Sequence, residues 1–158
     1  MWHIDSYDKL TPHGLGINGC VDVFSRYILW AEVYHTNSDP AVIGNYYLNA
    51  VQSLNGCPAK IRVDAGTENV NINLLQDFLI DNEDLNATSV ITGSSTRNIR
   101  IESWFAQYRK CNAEYYISLF HLIQSDGDFT GDMVDKELIR FCFLNIIQVK
   151  SIIYYILF

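Results

Sequence analysis

The sequence predicts a single α/β domain in which a central mixed sheet of five strands is flanked by helices. A chain of 158 residues can bury one hydrophobic core but would be cramped as two domains. Apolar residues make up 49% of the chain and aromatic residues 13%, a composition typical of packed globules rather than of disordered chains. Turn signals divide the chain into segments with strand or helix periodicity, in the order βββαβαβα.

The first half of the chain carries three strand patterns and one helix pattern. Apolar, β-branched and aromatic runs predict strands over 2–7, 15–24 and 27–34. A hairpin at Ser25 and Arg26 joins the second of these strands to the third. Pro40 follows an N-cap candidate and suits the first helical position, and Gly56 can close a helix. We therefore predict a helix over 40–54.

The second half of the chain continues with alternating strand and helix patterns. The predicted strands are 60–64 and 88–91. The predicted helices are 70–80, 99–122 with a break near Asn112, and 133–147. Between them we expect loops over 81–86, 93–96 and 126–128.

Three acidic residues stand where these elements would bring them together. Asp5 lies near the end of the first predicted strand, and Asp64 ends the fourth, just before a turn at Gly66. Glu102 follows Asp64 after 37 intervening residues and lies near the start of a predicted helix. Asn98 and Glu102 are four residues apart, so they can share one face of that helix.

This pattern resembles the DDE-type integrase core of retroviruses, retrotransposons and eukaryotic DNA transposons. Three motifs carry the resemblance in chain order: Trp-His-Ile-Asp at 2–5, Val-Asp-Ala-Gly-Thr-Glu-Asn at 63–69 and Asn-Ile-Arg-Ile-Glu at 98–102. The resemblance runs from Trp2 to about Lys110. It implies a ribonuclease H-like fold, in which the first and fourth strands are neighbours and the helix after the fifth strand lies beside them.

The resemblance also implies a chemistry: metal-dependent DNA nicking and strand transfer by a polynucleotidyl transferase. In that reading, Asp5, Asp64 and Glu102 are the catalytic residues and also the metal ligands. They would hold two Mg²⁺ or Mn²⁺ ions, with Asp5 bridging both, Asp64 on one and Glu102 on the other. Carboxylate oxygens suit such ions, and two ions about 4 Å apart stabilise the attacking and leaving oxygens of phosphoryl transfer.

The charge distribution bears on DNA as a partner. The net charge of −7 is the wrong sign for a general nucleic-acid binder, but residues 93–113 hold four basic residues and one acidic residue. We expect phosphate contacts from the polar and basic residues of this stretch: Arg97, Asn98, Arg100, Arg109 and Lys110. Ordinary solvent exposure of the same side chains explains them equally well. An active protein of this kind would be a homo-oligomer.

Two other functions remain open from the sequence. One is a domesticated DNA- or protein-binding scaffold that keeps the fold but has lost catalysis. The other is a ribonuclease H-type nuclease, which usually has a fourth carboxylate that the sequence does not locate. Glu68 and Asn69 either brace the loop that carries Asp64 or cap the following helix.

The cysteines and histidines give no metal-binding spacing. We interpret Cys20, Cys57, Cys111 and Cys142 as reduced, buried thiols of a nuclear or cytoplasmic protein. The histidines are interpreted as structural: His3, His13, His35 and His121.

The ends of the chain carry their own hypotheses. We assign residues 1–148 to the integrase-like domain and hypothesise that its N-terminus is truncated in this sequence. Residues 149–158 form an apolar tail without a cap or turn, and we hypothesise that they come from translated intron sequence. The apolar run 152–158 is far shorter than the roughly 20 residues of a membrane-spanning helix, so we expect no membrane partner.

Overall fold

The structure of the protein is a computed structural model that describes residues 1–80, 88–93 and 98–157, with side chains described up to Tyr154. Its strands are β1 (Trp2–Tyr7), β2 (Gly16–Asp22), β3 (Ile28–Tyr34), β4 (Ile61–Val63) and β5 (Val90–Thr92). Its α-helices are α1 (Pro40–Leu54), α2 (Val70–Leu79), α3 (Ile99–Tyr108), α4 (Glu114–Ser125) and α5 (Met133–Leu157). The predicted loop at 81–86, and all but the first residue of the predicted loop at 93–96, lie outside the described residues.

The described strands form one sheet in the order β3-β2-β1-β4-β5. The pairs β1–β2 and β2–β3 are antiparallel, whereas β1–β4 and β4–β5 are parallel. The sheet is therefore mixed and has the first and fourth strands as neighbours. This arrangement confirms the predicted ribonuclease H-like α/β fold.

Local turn chemistry explains the best-predicted boundaries. The hairpin between β2 and β3 closes because Asp22 Oδ2 accepts hydrogen bonds from the backbone N–H and the hydroxyl of Ser25, both at 2.8 Å. Helix α1 begins at Pro40, where Asp39 Oδ1 accepts from the N–H of Ala41 at 2.8 Å. It ends at a left-handed residue, Asn55, with φ of 51°.

The sheet buries a different hydrophobic cluster on each face, because successive side chains of a strand point to opposite sides. Trp2 and Ile4 of β1 pack with Tyr47 of α1 and Ile72 of α2. Tyr7 belongs to the cluster on the other face, which also contains Ile101, Phe105 and Tyr108 of α3. His3 and Asp5 therefore share the α3 face with Tyr7.

The long helical pattern after Ile99 is interrupted, as predicted near Asn112. Helix α3 ends at Tyr108, and residues Arg109–Ala113 form a π-helical turn before α4 begins. A π-helical turn accommodates one extra residue within a helix. It shifts the buried face, so that Tyr108, Ala113 and Tyr116 all enter the same core.

Helix α5 is longer than predicted. It runs to Leu157, so the expected end at residue 147 is wrong. Ile147, Ser151 and Tyr154 continue one buried stripe at spacings of four and three residues. The Ser151 hydroxyl lies 2.7 Å from that of Tyr108, and the Tyr154 ring lies 5.9 Å from the Trp104 ring. The intron origin of residues 149–158 stays a prediction.

Helix α5 also protects the outer strand of the described sheet. Gln148 Oε1 accepts a hydrogen bond from the N–H of Val33 at 2.6 Å, and its Nε2 donates to the carbonyl of Ala31 at 3.2 Å. These backbone groups lie on β3, whose outer side has no neighbouring strand in the described part of the sheet. The free N–H and C=O groups of an unpaired strand edge can pair with another chain, and Gln148 occupies two of these groups on β3.

The cysteines are only partly as predicted. All four are free thiols, and Cys20 is buried, but Cys111 and Cys142 are exposed. The expectation that all four are buried is therefore wrong, because the π-helical turn and the outer face of α5 turn these two toward solvent. Among the described residues, no helix is both long enough and apolar enough to cross a membrane.

The packing of α5 predicts that Tyr154→Ala lowers the free energy of unfolding by about 3 kcal/mol, as expected for a buried aromatic side chain. Ile153→Ala is the matched control, because Ile153 is the preceding residue and is 50% exposed. It should cost about 0.5 kcal/mol. Denaturant unfolding of both variants checks this, and equally small losses would show that the end of α5 does not pack on the core.

Candidate catalytic site

The parallel pairing of β1 with β4 places two of the predicted carboxylates, Asp5 and Asp64, at neighbouring positions. Trp2 lies opposite Ile61 and His3 opposite Arg62 in a parallel register. Continuing this register by two residues places Asp5 level with Asp64, which follows the end of β4. Because the period of a strand is two residues, Asp5 lies on the α3 face of β1, as His3 and Tyr7 do.

Glu102 reaches the same place because α3 is fixed against β1 and β2. The buried side chain of Asn98 donates a hydrogen bond from Nδ2 to the carbonyl of Ile4 at 2.8 Å. Gly19 lies opposite Asp5 on β2, and a Cβ atom there would lie 3.2 Å from Phe105 Cζ and 3.3 Å from Ile101 Cδ1. The absence of a side chain at Gly19 lets α3 approach the sheet, with Glu102 in its first turn.

The charges of the other predicted carboxylates affect the pKa of Asp5. The pKa of Asp5 is raised from 3.8 to about 6, mainly because the side chain is partly buried. The negative charges of Asp64, Glu102 and Asp8 raise it further, while a hydrogen bond from the Ser6 N–H, 2.9 Å from Oδ1, opposes the rise. The three predicted carboxylates therefore interact in the folded chain.

The loop after β4 holds Asp64 in place. Asn69 is 4% exposed, and its Nδ2 donates to Asp64 Oδ1 at 2.7 Å and to Glu68 Oε1 at 3.1 Å. The N–H of Gly66 also donates to Asp64 Oδ1, at 3.2 Å. The Asn69 side chain makes no capping hydrogen bond to α2. Its contacts therefore support a role in bracing the loop that carries Asp64 and not in capping the helix.

Two further carboxylates belong to this neighbourhood. Burial is the largest cause of a raised pKa at Glu68, and the charges of Asp64 and Asp8 raise it further. Asp8 Oδ1 accepts a hydrogen bond from Asn37 Nδ2 at 2.6 Å. Asp8 lies just after the end of β1. Its position three residues after Asp5 is the one feature of the sequence that indicates it lies near the site.

The site contains carboxylates that suit a metal ion, but their oxygens are not arranged around one common point. In the described parts of the chain, no three His, Cys, Asp or Glu side chains are grouped so that they could hold a metal ion. One oxygen of Asp64 is bonded to Asn69 and Gly66, and one of Asp5 to Ser6. Carboxylates that repel one another are nevertheless the donors a divalent cation neutralises. The donor set fits Mg²⁺ or Mn²⁺ if the side chains draw together.

The predicted nucleic-acid contacts divide into three groups. Arg100, Arg109 and Lys110 are exposed, and Arg109 Nε forms an ion pair with Glu114 Oε2 at 2.6 Å. Asn98 needs a correction: it is 1% exposed and bonded to Ile4, so it cannot present its side chain to a DNA phosphate. Arg97 lies outside the described residues.

Two of the histidines have structural positions, as predicted. His13 is 2% exposed and packs between Phe120 and Phe129, with ring centroids 5.1 Å away in both cases. His3 is 5% exposed, and burial with the nearby charge of Arg62 lowers its pKa from 6.5 to about 4. Both rings are therefore neutral at physiological pH.

Comparison with known proteins gives one match. A family model described as "Integrase core domain" matches residues 1–154. This range includes all three predicted carboxylates, and it extends into the C-terminal part of α5. Neither the curated proteins nor the solved structures compared with the chain contain a match.

The raised pKa predicts that Asp5→Asn stabilises the protein at about pH 7, by roughly 1 kcal/mol after allowance for partial exposure. Folded Asp5 holds its proton more tightly than the unfolded chain does. Its contribution is therefore fully present below about pH 4 and is lost as the pH rises through about 6. Urea unfolding across this range should give a flatter pH profile for the variant.

Asp126→Asn is the control for this experiment, because Asp126 is exposed at the end of α4. It should leave the slope of stability against pH between about 4 and 6 unchanged. Parallel profiles for Asp5→Asn and the wild type would show that folding does not raise the pKa of Asp5.

Proposed function

The chain belongs to the integrase core domain family, and from this we propose that it is a transposon-derived catalytic core that nicks DNA and transfers strands. The observation that supports the proposal is the parallel register of β1 and β4, which sets Asp5 level with Asp64, together with the charges of Asp64 and Glu102 that both raise the pKa of Asp5. Placing like charges close together costs stability, and groups with perturbed pKa values concentrate at functional sites. Divalent metal dependence is general in this family.

Each side chain would have a distinct task in this reaction. Asp5 would help to hold both metal ions, with Asp64 and Glu102 each helping to hold one. Two bound divalent ions supply activation of the attacking water or 3′ hydroxyl and neutralise charge on the transferring phosphate. Asn69 would orient Asp64, and Asn98 would keep α3, and with it Glu102, against β1.

DNA is the proposed partner. The family supports DNA as the partner. Arg100, Arg109 and Lys110 are exposed and lie close to Glu102 in the sequence. These side chains would contact DNA phosphates. Assembly into a homo-oligomer and a nuclear or cytoplasmic location stay predictions.

A scaffold without catalysis is the second candidate function. It is favoured by the absence, among the described residues, of three side chains already grouped for a metal ion. A ribonuclease H-type nuclease is the third candidate, and the positions of Asp8 and Glu68 supply the additional carboxylates it would need. The three functions differ in metal dependence and in the substrate that is cut.

A nicking assay on supercoiled plasmid DNA with Mg²⁺ or Mn²⁺ tests the proposal. Asp5→Asn, Asp64→Asn and Glu102→Gln should each lower the nicking rate about 100-fold or more, since losing groups that only orient metal ligands already costs 10–100-fold. Asp126→Asn should nick at the wild-type rate.

The outcomes separate the candidate functions. Nicking that persists in all three carboxylate variants would refute this catalytic triad. A wild-type protein that binds DNA but cuts nothing with either metal would favour the scaffold. Selective cutting of the RNA strand in an RNA–DNA hybrid would favour the ribonuclease H-type nuclease.

Metal binding can be measured apart from catalysis. Magnesium or manganese at about 100 times its Kd should raise the Tm by about 5–10 °C, because the cation relieves repulsion among the carboxylates. Asp64→Asn should reduce this rise, while Asp126→Asn should preserve it. Equal shifts for the wild type and Asp64→Asn would place the metal elsewhere.

A further inference from the structure

A small cleft of about 240 Å³ opens between strand β3 and helix α1. Its walls include Leu29, Trp30 and Glu32 from the strand and Tyr46, Asn49 and Ser53 from the helix. Leu29, Trp30 and Tyr46 pack in the hydrophobic cluster that contains Trp2 and Tyr47. The cleft therefore lies on the α1 face of the sheet, whereas Asp5 lies on the α3 face.

The carboxylate of Glu32 lines this cleft without a partner in the described part of the chain. It takes part in no ion pair and in no hydrogen bond with another described residue. Glu32 is half-buried, and burial raises the pKa of its carboxyl, with no described cationic side chain opposing the rise. A carboxylate that has lost part of its hydration and has no neighbouring cation attracts a cation from outside the chain.

The helix wall adds neutral hydrogen-bonding groups to this carboxylate. Tyr46, Asn49 and Ser53 follow one another at spacings of three and four residues, so they share one face of α1. Each of the three side chains carries an oxygen that can accept a hydrogen bond. Burial and the charges of Glu32 and Tyr34 raise the pKa of Tyr46 to about 12, so its hydroxyl stays neutral at physiological pH. An ammonium group, which has three N–H donors, suits such a set of acceptors.

The remaining walls of the cleft are aromatic and aliphatic. Trp30 and Tyr46 supply aromatic rings, and Leu29 and Ala50 supply aliphatic surface. Aromatic rings attract cations, and aliphatic surface accommodates the methylene stem of a lysine-like chain. Trp30 Nε1 donates a hydrogen bond to Asn18 Oδ1 at 2.8 Å, which restrains the indole ring before any ligand binds.

We propose that this cleft binds an alkylammonium group, carried either by a lysine side chain or by a free polyamine. The ammonium contacts Glu32 and the oxygens of the helix wall, and the methylene chain lies along Leu29, Trp30 and Ala50. A single carboxylate is a poor site for a divalent metal ion, which takes several oxygen ligands. The volume is below the roughly 300 Å³ at which sites for drug-sized ligands begin, so it suits one alkyl chain. The assignment is independent of the proposed function, because none of the residues assigned to the reaction lines the cleft.

Isothermal titration calorimetry of the full chain with pentylamine, at low salt and about neutral pH, tests this assignment. Pentanol is the matched neutral ligand, because it has the same alkyl chain without the charge. Pentylamine should bind the wild type at least about tenfold more tightly than pentanol does, as expected for a charge-assisted hydrogen bond to a carboxylate. Glu32→Gln should remove this difference between the two ligands.

Two controls separate the cleft from general effects. Asp64→Asn and Asp126→Asn each remove one negative charge outside the cleft, and both should leave the affinity for pentylamine unchanged. The Tm of Glu32→Gln should be no lower than that of the wild type at about pH 7, because the amide replaces a partly desolvated charge. Weaker binding at an unchanged or higher Tm therefore cannot come from misfolding. The comparison of pentylamine with pentanol uses the wild type alone and does not depend on the stability of any variant.

The source of the ammonium group is tested with two further ligands, spermidine and a short peptide that contains one lysine. Binding of spermidine that needs Glu32 identifies a free polyamine, and binding of the peptide that is lost when norleucine replaces lysine identifies a lysine side chain. Equal affinities for pentylamine and pentanol overturn the proposal, as does pentylamine binding that persists in Glu32→Gln or falls equally in Asp64→Asn. Absence of pentylamine binding up to about 10 mM, where even weak specific sites fill, also overturns it.

Discussion

The buried hydrogen bond from Asn98 Nδ2 to the carbonyl of Ile4 holds the start of α3 against the middle of β1. A buried carbonyl in a strand and a buried amide at a helix start would each be costly without a partner, so the pair restricts where α3 can begin. Glu102 is four residues further along, and Asp5 is the residue after Ile4. The distance between helix and strand carboxylates thus depends on a contact made by neither of them. Gly19 contributes by leaving room for Ile101 and Phe105.

Several carboxylates lie around Asp5, and their mutual repulsion does not stabilise the fold. The charges of Asp64, Glu102 and Asp8 all raise the pKa of Asp5. The pKa of Glu68 is raised in turn by burial and by the charge of Asp64. The structure offsets part of this repulsion with neutral donors: Ser6 and Gly66 through their backbone N–H groups, and Asn69 through its side chain. Neutral donors hold the carboxylate oxygens in place but leave their charge available to a cation.

Helix α5 illustrates how one element serves both the core and the sheet edge. Its buried stripe ends in Ser151 and Tyr154, which contact Tyr108 and so support the far end of α3. Gln148, on the same helix, bonds to the backbone of β3. Helix α3 is therefore fixed at its start by β1 and at its end by α5. The family match, which extends to residue 154, includes both of these attachments.

The sequence by itself determined the order of elements, the helix over residues 40–54 and the neighbouring positions of β1 and β4. The order of elements and the helix follow from short-range signals: strand and helix periods and the proline at position 40. The neighbouring positions of β1 and β4 follow from the resemblance carried by the motifs around Asp5, Asp64 and Glu102. Only the tertiary structure decided the fate of Asn98, because burial against Ile4 depends on residues 94 positions apart in the chain. The same holds for the C-terminal end of α5, which lacks a local stop or cap and continues because Tyr108 and Trp104 offer it a surface. The proximity of Asp8 and Glu68 to the site likewise arises from packing between distant segments. Local patterns specify elements, whereas burial and long-range contacts determine which side chain meets which.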